Sequence, residues 1–482
     1  MTLTSALNSA KSVFSNTGEQ SSVISKNIAN ASNESYVKRY TNIATSGNGA
    51  TVVSIGRAEN AILQNQMFLS SSESAGQETL LDGLKQLKSI LGGNDYELSP
   101  ATYLSKFFDS LQQFAAKPGD TSLAQTAIST AQDIVNSLNR SSASIQTIRE
   151  QADSDISSSV TKLNALLDNL KDVNDRVISL TSTGGDPNDA LDQRDKIISD
   201  ISQYVGVTIQ KRPNNDVALY TADGTTLFET IPRTVSFAPQ STYDAGTVGN
   251  AVYIDGTAVQ LGVGGDTSAR GSIAANLQLR DEIAPVFQSQ FDEIARGLIT
   301  VFDDSGVPGL FAWSEGTTPV PLPGTALPDG QIQPGLASLI SINTDYLSSA
   351  GGDPMRLRDG NSVDQNPDDN AGFSDLLFSY LDAMQGNMDF DPLAQVNEST
   401  SLLNFSTGSI GWLEDYRSSA TSASENKTAM LLRSSDAYSS KTGVSLDEEL
   451  TLLLDIEQSY KAASKLLTTI DEMLKSLIAA AG

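Results

Sequence analysis

The sequence predicts a mostly α-helical protein with small antiparallel β domains inserted in its middle. Three observations lead to this prediction. Apolar residues recur at spacings of 3 and 4 at both ends of the chain, the run 121–183 contains neither Pro nor Gly, and a later stretch alternates polar and apolar residues between turn signals. The first two patterns are typical of helices, and the third is typical of short strands.

Both ends of the chain carry a narrow apolar seam. The N-terminal seam is read at Leu3, Leu7, Ala10, Phe14, Thr17, Ser21, Ile24, Ile28 and Ala31. The C-terminal seam is read at Leu453, Ile456, Tyr460, Ala463, Leu467, Ile470, Leu474, Leu477 and Ala481. Either seam has the spacing of an ordinary buried helix face or of a coiled coil. Because the simplest partner for one end is the other end, we expect the two terminal helices to pair as a coiled coil.

Capping signals place the ends of the predicted helices. Ser445 stands three residues before Glu448, which is the pattern of a capping box and predicts that the last helix starts near Leu446. Ser99 followed by Pro100 predicts another helix start.

The predicted organisation is nested, with the terminal helices outside, a shell of long helices next and β-rich material in the middle. Further helices are predicted over 280–303, 373–384 and about 392–438, and short strands between 205 and 279. The predicted domains are a terminal coiled-coil domain (1–70 and 440–482), a long-helix domain (71–204, 280–303 and 371–439), an inserted β domain (205–279) and a second, loop-rich insertion with some β structure (304–370).

Composition excludes several classes of function. The formal net charge is −27, and a surface this acidic repels phosphate, so neither nucleic acid nor an anionic membrane is expected as a partner. The chain has no Cys and no His, which excludes thiol nucleophiles, Ser-His-Asp triads and His-based zinc sites. No run of 18 apolar residues predicts a membrane span. The first residues lack a basic region followed by an apolar run, so they do not predict a Sec-type signal peptide, and a protein that leaves the cell without one must be recognised by another route.

Paired carboxylates are the one catalytic device that this composition allows easily. The candidates are Asp303-Asp304, Asp368-Asp369 and Asp447-Glu448-Glu449, and we interpret them as solvated charge at turns and helix starts. The Asp-rich run 364–370 offers oxygen ligands for a hard cation, but it lacks the EF-hand spacing, which favours a flexible acidic loop. We therefore expect no catalytic residue, no metal site and no cofactor.

Two terminal motifs resemble a known family. The stretch 26–39 reads KNIANASNESYVKR, and it is similar to the N-terminal signature of the flagellar rod, hook and hook-associated proteins, with Glu34-Ser35 where that family has Pro-Gly. The segments 443–450 and 457–465 resemble the C-terminal helix of the same family. Two internal segments, 188–195 (NDALDQRD) and 271–283, are more specific, because they resemble the hook-associated protein 1 family within that group.

The resemblance implies a non-catalytic, polymerising axial subunit at the junction between hook and filament, outside the cell. It implies that the flagellar type III apparatus exports the chain and that a cytoplasmic chaperone holds the C-terminal helix beforehand. The implied partners are the hook protein, the next hook-associated protein and further copies of the chain in a ring. Together with the seams, it implies an assembly interface on the terminal helices at Leu3, Leu7, Phe14, Ile24, Asn27, Ile28, Asn30, Tyr36, Leu453, Ile456, Tyr460, Leu467, Ile470, Leu474 and Leu477.

Two alternatives stay open at this stage. A hook protein or distal rod protein would share both terminal motifs, and the motif at 191–195 and the long helix before it favour the junction protein. A remote alternative from another class is a secreted carbohydrate-active enzyme that uses two carboxylates. Such an enzyme needs an aromatic-lined cleft, and Trp313 and Trp412 are the two Trp residues of the chain.

Overall fold

The computed structural model describes residues 3–46, 49–304, 309–313 and 330–481. Helices make up 64% of the chain, which confirms the predicted fold class. The helices are α1 (Leu3–Ala29), α2 (Ala61–Ile90), α3 (Pro100–Ala116), α4 (Thr121–Thr183), α5 (Asn188–Ser202), α6 (Ser272–Gln278), α7 (Ala284–Val301), α8 (Leu336–Leu339), α9 (Arg356–Asp359), α10 (Asp375–Gln385), α11 (Leu402–Thr442) and α12 (Leu446–Ala481). None of those helices is both long and apolar enough to cross a bilayer.

The strands are short and antiparallel, as expected. They are β1 (Arg39–Ser46), β2 (Gly49–Arg57), β3 (Val207–Lys211), β4 (Val217–Thr221), β5 (Thr226–Phe228), β6 (Val235–Ser236), β7 (Tyr253–Ile254), β8 (Thr257–Ala258), β9 (Phe311–Trp313), β10 (Ile340–Ile342), β11 (Met388–Asp389) and β12 (Ser399–Thr400). Strands β3 to β5 form one sheet and β6 to β8 another, and three hairpins pair β1 with β2, β9 with β10 and β11 with β12.

The long central helix α4 has the bounds that the sequence predicts. Asp120 caps its start, because the Asp120 side chain accepts a hydrogen bond from the backbone N–H of Ser122 at 2.9 Å. Gly184 ends it in a left-handed conformation at φ 74°, which a residue without a Cβ adopts at little cost. At 1.5 Å per residue, α4 is about 95 Å long.

Long helices pack around α4 to form the body of the molecule. Helices α2 and α11 run antiparallel along each other, since Ser74 bonds Thr428 at 3.3 Å and Lys88 pairs with Glu414 at 3.1 Å. Aromatic rings pack together in the body around Phe302, which lies within ring-packing distance of Phe107, Phe311 and Tyr380. The centroid distances are 5.4, 5.3 and 4.5 Å.

Three predicted boundaries are wrong. The helix predicted over 280–303 begins at Ser272 as α6 and reaches α7 through a π-helical turn at Leu279–Ile283, which inserts one extra residue. The helix predicted from 392 begins only at Leu402, because Pro392–Ala394 is a short 3₁₀ turn and β12 follows it. Residues 259–261, which are predicted as a strand, form none, and the nearest strand, β8, ends just before them at Ala258.

The hairpin β1–β2 was not predicted at all. Its sequence signal is present, since Thr51, Val52 and Val53 follow a Gly-Asn-Gly segment at 47–49. The second insertion is described only in part, and residues 305–308 and 314–329 of it lie outside the described ranges. Within the described part, the acidic run 364–370 folds around the buried side chain of Asn366, whose amide donates to Asp359 at 2.7 Å.

The inserted β domain is held against α4 by a shared apolar cluster and by contacts around a buried ion pair. Arg280, in the π-helical turn, is fully buried and its guanidinium lies 2.5 Å from the Asp153 carboxylate of α4. Asp153 also accepts a hydrogen bond from the Tyr243 hydroxyl at 2.6 Å and one from the backbone N–H of Gln240 at 2.8 Å. Arg280 and the loop 240–250 both contact the Asp153 carboxylate. The segment 271–283, which contains Arg280, therefore has a structural role.

Substituting Asp153 by Asn should destabilise the body. The variant removes the buried negative charge that faces Arg280, the Tyr243 hydroxyl and the Gln240 N–H, while Arg280 keeps Asp281 at 2.7 Å. Weakening hydrogen bonds to a buried charged group costs on the order of 1–3 kcal/mol. Calorimetry should show a main unfolding transition that is several degrees lower. Asp155→Asn is the matched control, because Asp155 is exposed on the same helix, and it should leave the transition unchanged. Equal melting temperatures for both variants would contradict the prediction.

Candidate assembly interface

The two ends of the chain pair with each other, as the seams predict. Helices α1 and α12 pack antiparallel, with the rings of Phe14 and Tyr460 in an edge-to-face contact at 4.7 Å between centroids. One end of the pair is closed by a hydrogen bond of 3.0 Å from the Asn27 amide to the Glu449 carboxylate. The last helix starts at Leu446, at the predicted residue.

The seam residues are covered to different degrees. Ile24 and Ile470 are buried; Phe14, Ile28, Leu453, Ile456 and Leu467 are half-buried; Leu7, Tyr460, Leu474 and Leu477 are exposed. The side chain of Leu3 is not among those described. Because Asn27 lies opposite Glu449 and the helices run antiparallel, Leu474 and Leu477 fall beyond the start of α1. The seam of α12 is thus longer than the seam of α1 with which it pairs.

Helix α12 carries a second set of exposed apolar side chains, which flanks the seam on both sides. We call it the outer face of α12, and it comprises Leu450, Leu452, Leu454, Leu466, Met473 and Ile478. These side chains are between 44 and 71% exposed. The sequence analysis missed this face, although the runs 452–454 and 466–467 place leucines on both sides of the helix and make the apolar surface too wide for one seam.

Hairpin β1–β2 lies against α1 and completes what we call the terminal module, made of α1, β1, β2 and α12. The carboxamide of Asn16 pairs with the edge of β2, because it donates to the Ala50 carbonyl at 2.7 Å and accepts from the Val52 N–H at 3.0 Å. The side chain therefore replaces a neighbouring strand at this edge.

Asn27 is the hydrogen-bonding centre of the module. Its carboxamide donates to the Arg39 carbonyl at 2.9 Å and to Glu449, and it accepts from the Arg39 N–H at 3.0 Å and the Tyr36 hydroxyl at 2.8 Å. Burial raises the pKa of Tyr36, so the phenol stays a donor at neutral pH. Asn30 does not join this network, since its side chain caps the end of α1 at the Lys26 carbonyl.

Lys38 connects the start of the hairpin to the C-terminal end of α11 and to the first turn of α12. Its backbone N–H donates to the Thr442 carbonyl at 2.7 Å, and its ammonium lies 2.8 Å from Glu448 and 3.3 Å from Glu449. Burial would lower the pKa of Lys38, but the hydrogen bonds to both carboxylates outweigh it and raise that pKa. The Glu448 carboxylate thus pairs with Lys38. The backbone N–H of Glu448 lies 3.5 Å from the hydroxyl of Ser445, the residue just before α12.

The internal motif at 191–195 meets the N-terminal motif at the base of the hairpin. Asp192 of α5 receives Arg39 at 2.6 Å on one carboxylate oxygen and Arg57 at 2.8 Å on the other. Arg57 also contacts Asp195 at 2.5 Å, and Arg39 contacts Asp189 at 3.1 Å. We call these five residues the arginine junction.

The remaining residues of that motif anchor α5 in the body. Leu191 is buried against Val177 of α4. Arg194 is buried as well, and it donates to the Asn174 side chain at 3.1 Å and to the Asn215 carbonyl. Successive residues of the motif thus face the body and the terminal module in turn, so three motifs that are far apart in sequence form one contact region.

Members of two carboxylate candidates, Asp304 and Glu448-Glu449, are engaged in structural contacts. Asp304 accepts hydrogen bonds from the hydroxyl and N–H of Ser362, and these outweigh burial and lower the pKa of Asp304. Trp412 packs on Phe287 and Tyr416 rather than lining a cleft. Across the described ranges, no group of three or more Asp and Glu side chains is placed to hold a metal ion.

Comparison with known proteins first defines the class. Residues 436–480, which cover all of α12 but its last residue, match the flagellar basal body rod FlgEFG protein C-terminal domain, so this part of the chain is similar to flagellar axial proteins. Residues 84–310 match the helical domain of the flagellar hook-associated protein FlgK. The chain is thus similar to flagellar hook-associated protein 1, FlgK. The proteins that it resembles are structural components of the flagellum.

Curated relatives agree with this assignment. Flagellar hook-associated protein 1 of Bacillus subtilis is 22% identical over 95% of this chain and 94% of its own length. The Salmonella typhimurium protein of that name is 24% identical over 64% of this chain and 58% of its own length. The flagellar hook junction protein FlgK from Burkholderia pseudomallei shares the fold, with a TM-score of 0.56 at 15% identity over 77% of this chain and 99% of that chain.

A charge in the seam should separate the terminal helices, whereas a charge on the outer face should not. Leu467→Asp places a carboxylate against α1, and an unpaired buried carboxylate costs several kcal/mol or takes up a proton. Amide exchange should then become faster for residues 5–28. Leu466→Asp is the matched control, because Leu466 is 57% exposed beside it. Equally fast exchange in both variants would contradict pairing through the seam.

Proposed function

We propose that this chain is a non-catalytic, polymerising subunit of the bacterial flagellum that forms the junction between hook and filament. The single observation that carries the proposal is the terminal module, in which one face of α12 pairs with α1 while the outer face stays exposed. An exposed apolar face of this size is unfavourable in an isolated chain and is typical of an interaction surface. Similarity to flagellar hook-associated protein 1 supports the same function.

The proposed partners of the outer face are neighbouring copies of the chain in a ring. At the two ends of the ring, the partners are the hook protein and the next hook-associated protein. The predicted interface positions that remain exposed, Leu7, Tyr460, Leu474 and Leu477, would be covered there. The buried positions Ile24, Asn27 and Ile470 would act indirectly, because they hold α12 in place.

We also propose that the terminal module is the assembling unit and that the body projects from it. The predicted boundary at 70 and 440 divides α2 and α11, whereas the module meets the body at Arg57 in β2 and at Gly443, the C-terminal end of α11. The second connection is short, since two residues, Val444 and Ser445, separate Gly443 from α12.

A hook protein or a distal rod protein remains the alternative within the class. It would share the C-terminal match at 436–480 and the paired terminal helices. The match of residues 84–310 to the FlgK helical domain favours the junction protein over both. That region includes α4 and α5, so the three Asp residues of the arginine junction lie inside it, whereas Arg39 and Arg57 lie outside it.

Deletion of the gene tests the proposal directly. A strain without this protein should build hooks that lack filaments and should lose flagellin to the medium, because no junction is present on which the filament can grow. Electron microscopy of the cells and immunoblotting of the medium measure both results. Truncated hooks, or a missing rod, would instead indicate the hook or rod alternative.

Complementation with Leu466→Asp tests the outer face. The variant should fold with paired terminal helices but fail to restore filament attachment, because a charge on the outer face would be buried against the next subunit. Thr469→Asp is the matched control, since Thr469 is a polar, exposed position of the same helix. It should restore more attachment than Leu466→Asp, and normal filaments with Leu466→Asp would contradict the proposed use of this face.

We propose that the flagellar type III apparatus exports the chain without a cleavable signal peptide and that a cytoplasmic chaperone covers α12 beforehand. The outer face supports this, because an amphipathic helix is the usual occupant of a hydrophobic groove. In a pull-down, removal of 446–482 should abolish chaperone binding, whereas removal of 304–370 should not. Chaperone binding that survives the first deletion would place the chaperone site elsewhere.

A further inference from the structure

The joint between the terminal module and the body is polar. The apolar clusters of the described body take their buried members from residues between Phe68 and Ala420. The buried apolar residues of the module, such as Ile24 and Ile470, lie along its own helices. Charged side chains therefore fasten two separately packed units across the base of the hairpin.

The geometry of this joint depends on one carboxylate. Arg39 and Arg57 face each other as cross-strand partners of β1 and β2, and like charges in directly opposed positions are destabilising. Asp192 accepts both guanidinium groups, one on each oxygen. The side chains of Arg39, Arg57 and Asp192 are 4, 5 and 12% exposed, so water screens little of this interaction.

We infer that Asp192 is a positioning residue that holds the terminal module at one angle to the body. Its carboxylate binds the first residue of β1 and the last residue of β2, and these two points fix the direction of the hairpin. Since α1 and α12 pack on the hairpin and on each other, they follow its direction. The consequence for assembly rests on the proposed function, because a ring requires each module to meet its neighbours at the same angle.

Asp189 and Asp195 have lesser roles in the same joint. Asp189 is 95% exposed, and exposed ion pairs contribute little. Asp195 contacts Arg57 alone. Asp192 is thus the one member of the arginine junction that neutralises both strands of the hairpin.

A pair of labels can measure the angle directly, because the chain has no cysteine. Ser179→Cys in α4 and Ser464→Cys in α12 are exposed positions on the body and on the module, and spin labels there report the distance between the two units. In the full chain, this parent should give one narrow distance distribution. Adding Asp192→Asn should broaden the distribution, and adding Asp189→Asn should leave it narrow.

Amide exchange and melting distinguish a freed joint from general unfolding. With Asp192→Asn, hairpin amides at 39–57 should exchange on the order of tenfold faster, because Arg39 and Arg57 lose the charge of the carboxylate that they share, while Arg57 keeps Asp195 and Arg39 keeps the exposed Asp189. The main melting transition of the body should stay at the parent temperature. Arg57→Gln should release the joint from the hairpin side with α5 unchanged, so the test does not depend on one variant.

Three results would overturn the inference: a distribution that is already broad in the parent, an unchanged narrow distribution in Asp192→Asn and Arg57→Gln, or a body transition that falls with the hairpin protection. All of these are measured on the isolated chain and need no flagellum. A deletion strain that still attaches filaments would refute the proposed function and leave the distance measurements valid. Normal filament attachment by Asp192→Asn, despite a broad distribution, would refute the role of the fixed angle in assembly.

Discussion

The antiparallel pairing of α1 with α12 is the constraint on which the rest of the structure depends. It brings residues 27 and 449 into hydrogen-bonding contact, so the chain between these two residues must run out from this contact and return to it. Helices α2 and α11 satisfy that requirement by running antiparallel beside each other, as the contacts from Ser74 to Thr428 and from Lys88 to Glu414 show. The β domain and the loop-rich insertion then occupy the middle of the chain, away from the paired ends. Nested order in the sequence is thus the direct result of joining the two ends.

Local patterns predicted the helices well because a helix is decided by nearby residues. The bounds of α4 and the start of α12 follow from capping residues and from the absence of Pro and Gly, which act within a few positions. The errors have physical causes too. The extra residue in the π-helical turn at Leu279–Ile283 is favoured by a distant partner, because it aims Arg280 at Asp153 on another helix. Residues 392–401 are apolar enough for a helix, but Pro392 and the pairing of β12 with β11 give a different structure.

Contacts within the candidate interface were predictable only where they lie on one helix face. The seam positions could be read from spacing, and Phe14 and Tyr460 do meet. The arginine junction could not be predicted, because Arg39 and Asp192 are 153 residues apart and no local rule relates them. The sequence motifs drew attention to the right residues, but the resemblance alone assigned them no contacts. Asn27, Tyr36 and Arg39 prove to be one network only when the hairpin places them beside Glu449 and Asp192.

Charged groups join the terminal module to the body, while apolar groups fill the cores and also hold the β domain. Asp192 with two arginines joins the module, whereas the β domain shares an apolar cluster with α4, beside the Asp153–Arg280 pair. A buried ion pair is a weak source of net stability, since desolvation offsets most of its attraction, but it tolerates few arrangements because a displaced charge stays unpaired. An apolar joint would allow sliding with little change in energy. In the proposed ring, each subunit would repeat at one angle and would benefit from the first kind of joint, which fits the polar junction between the terminal module and the body.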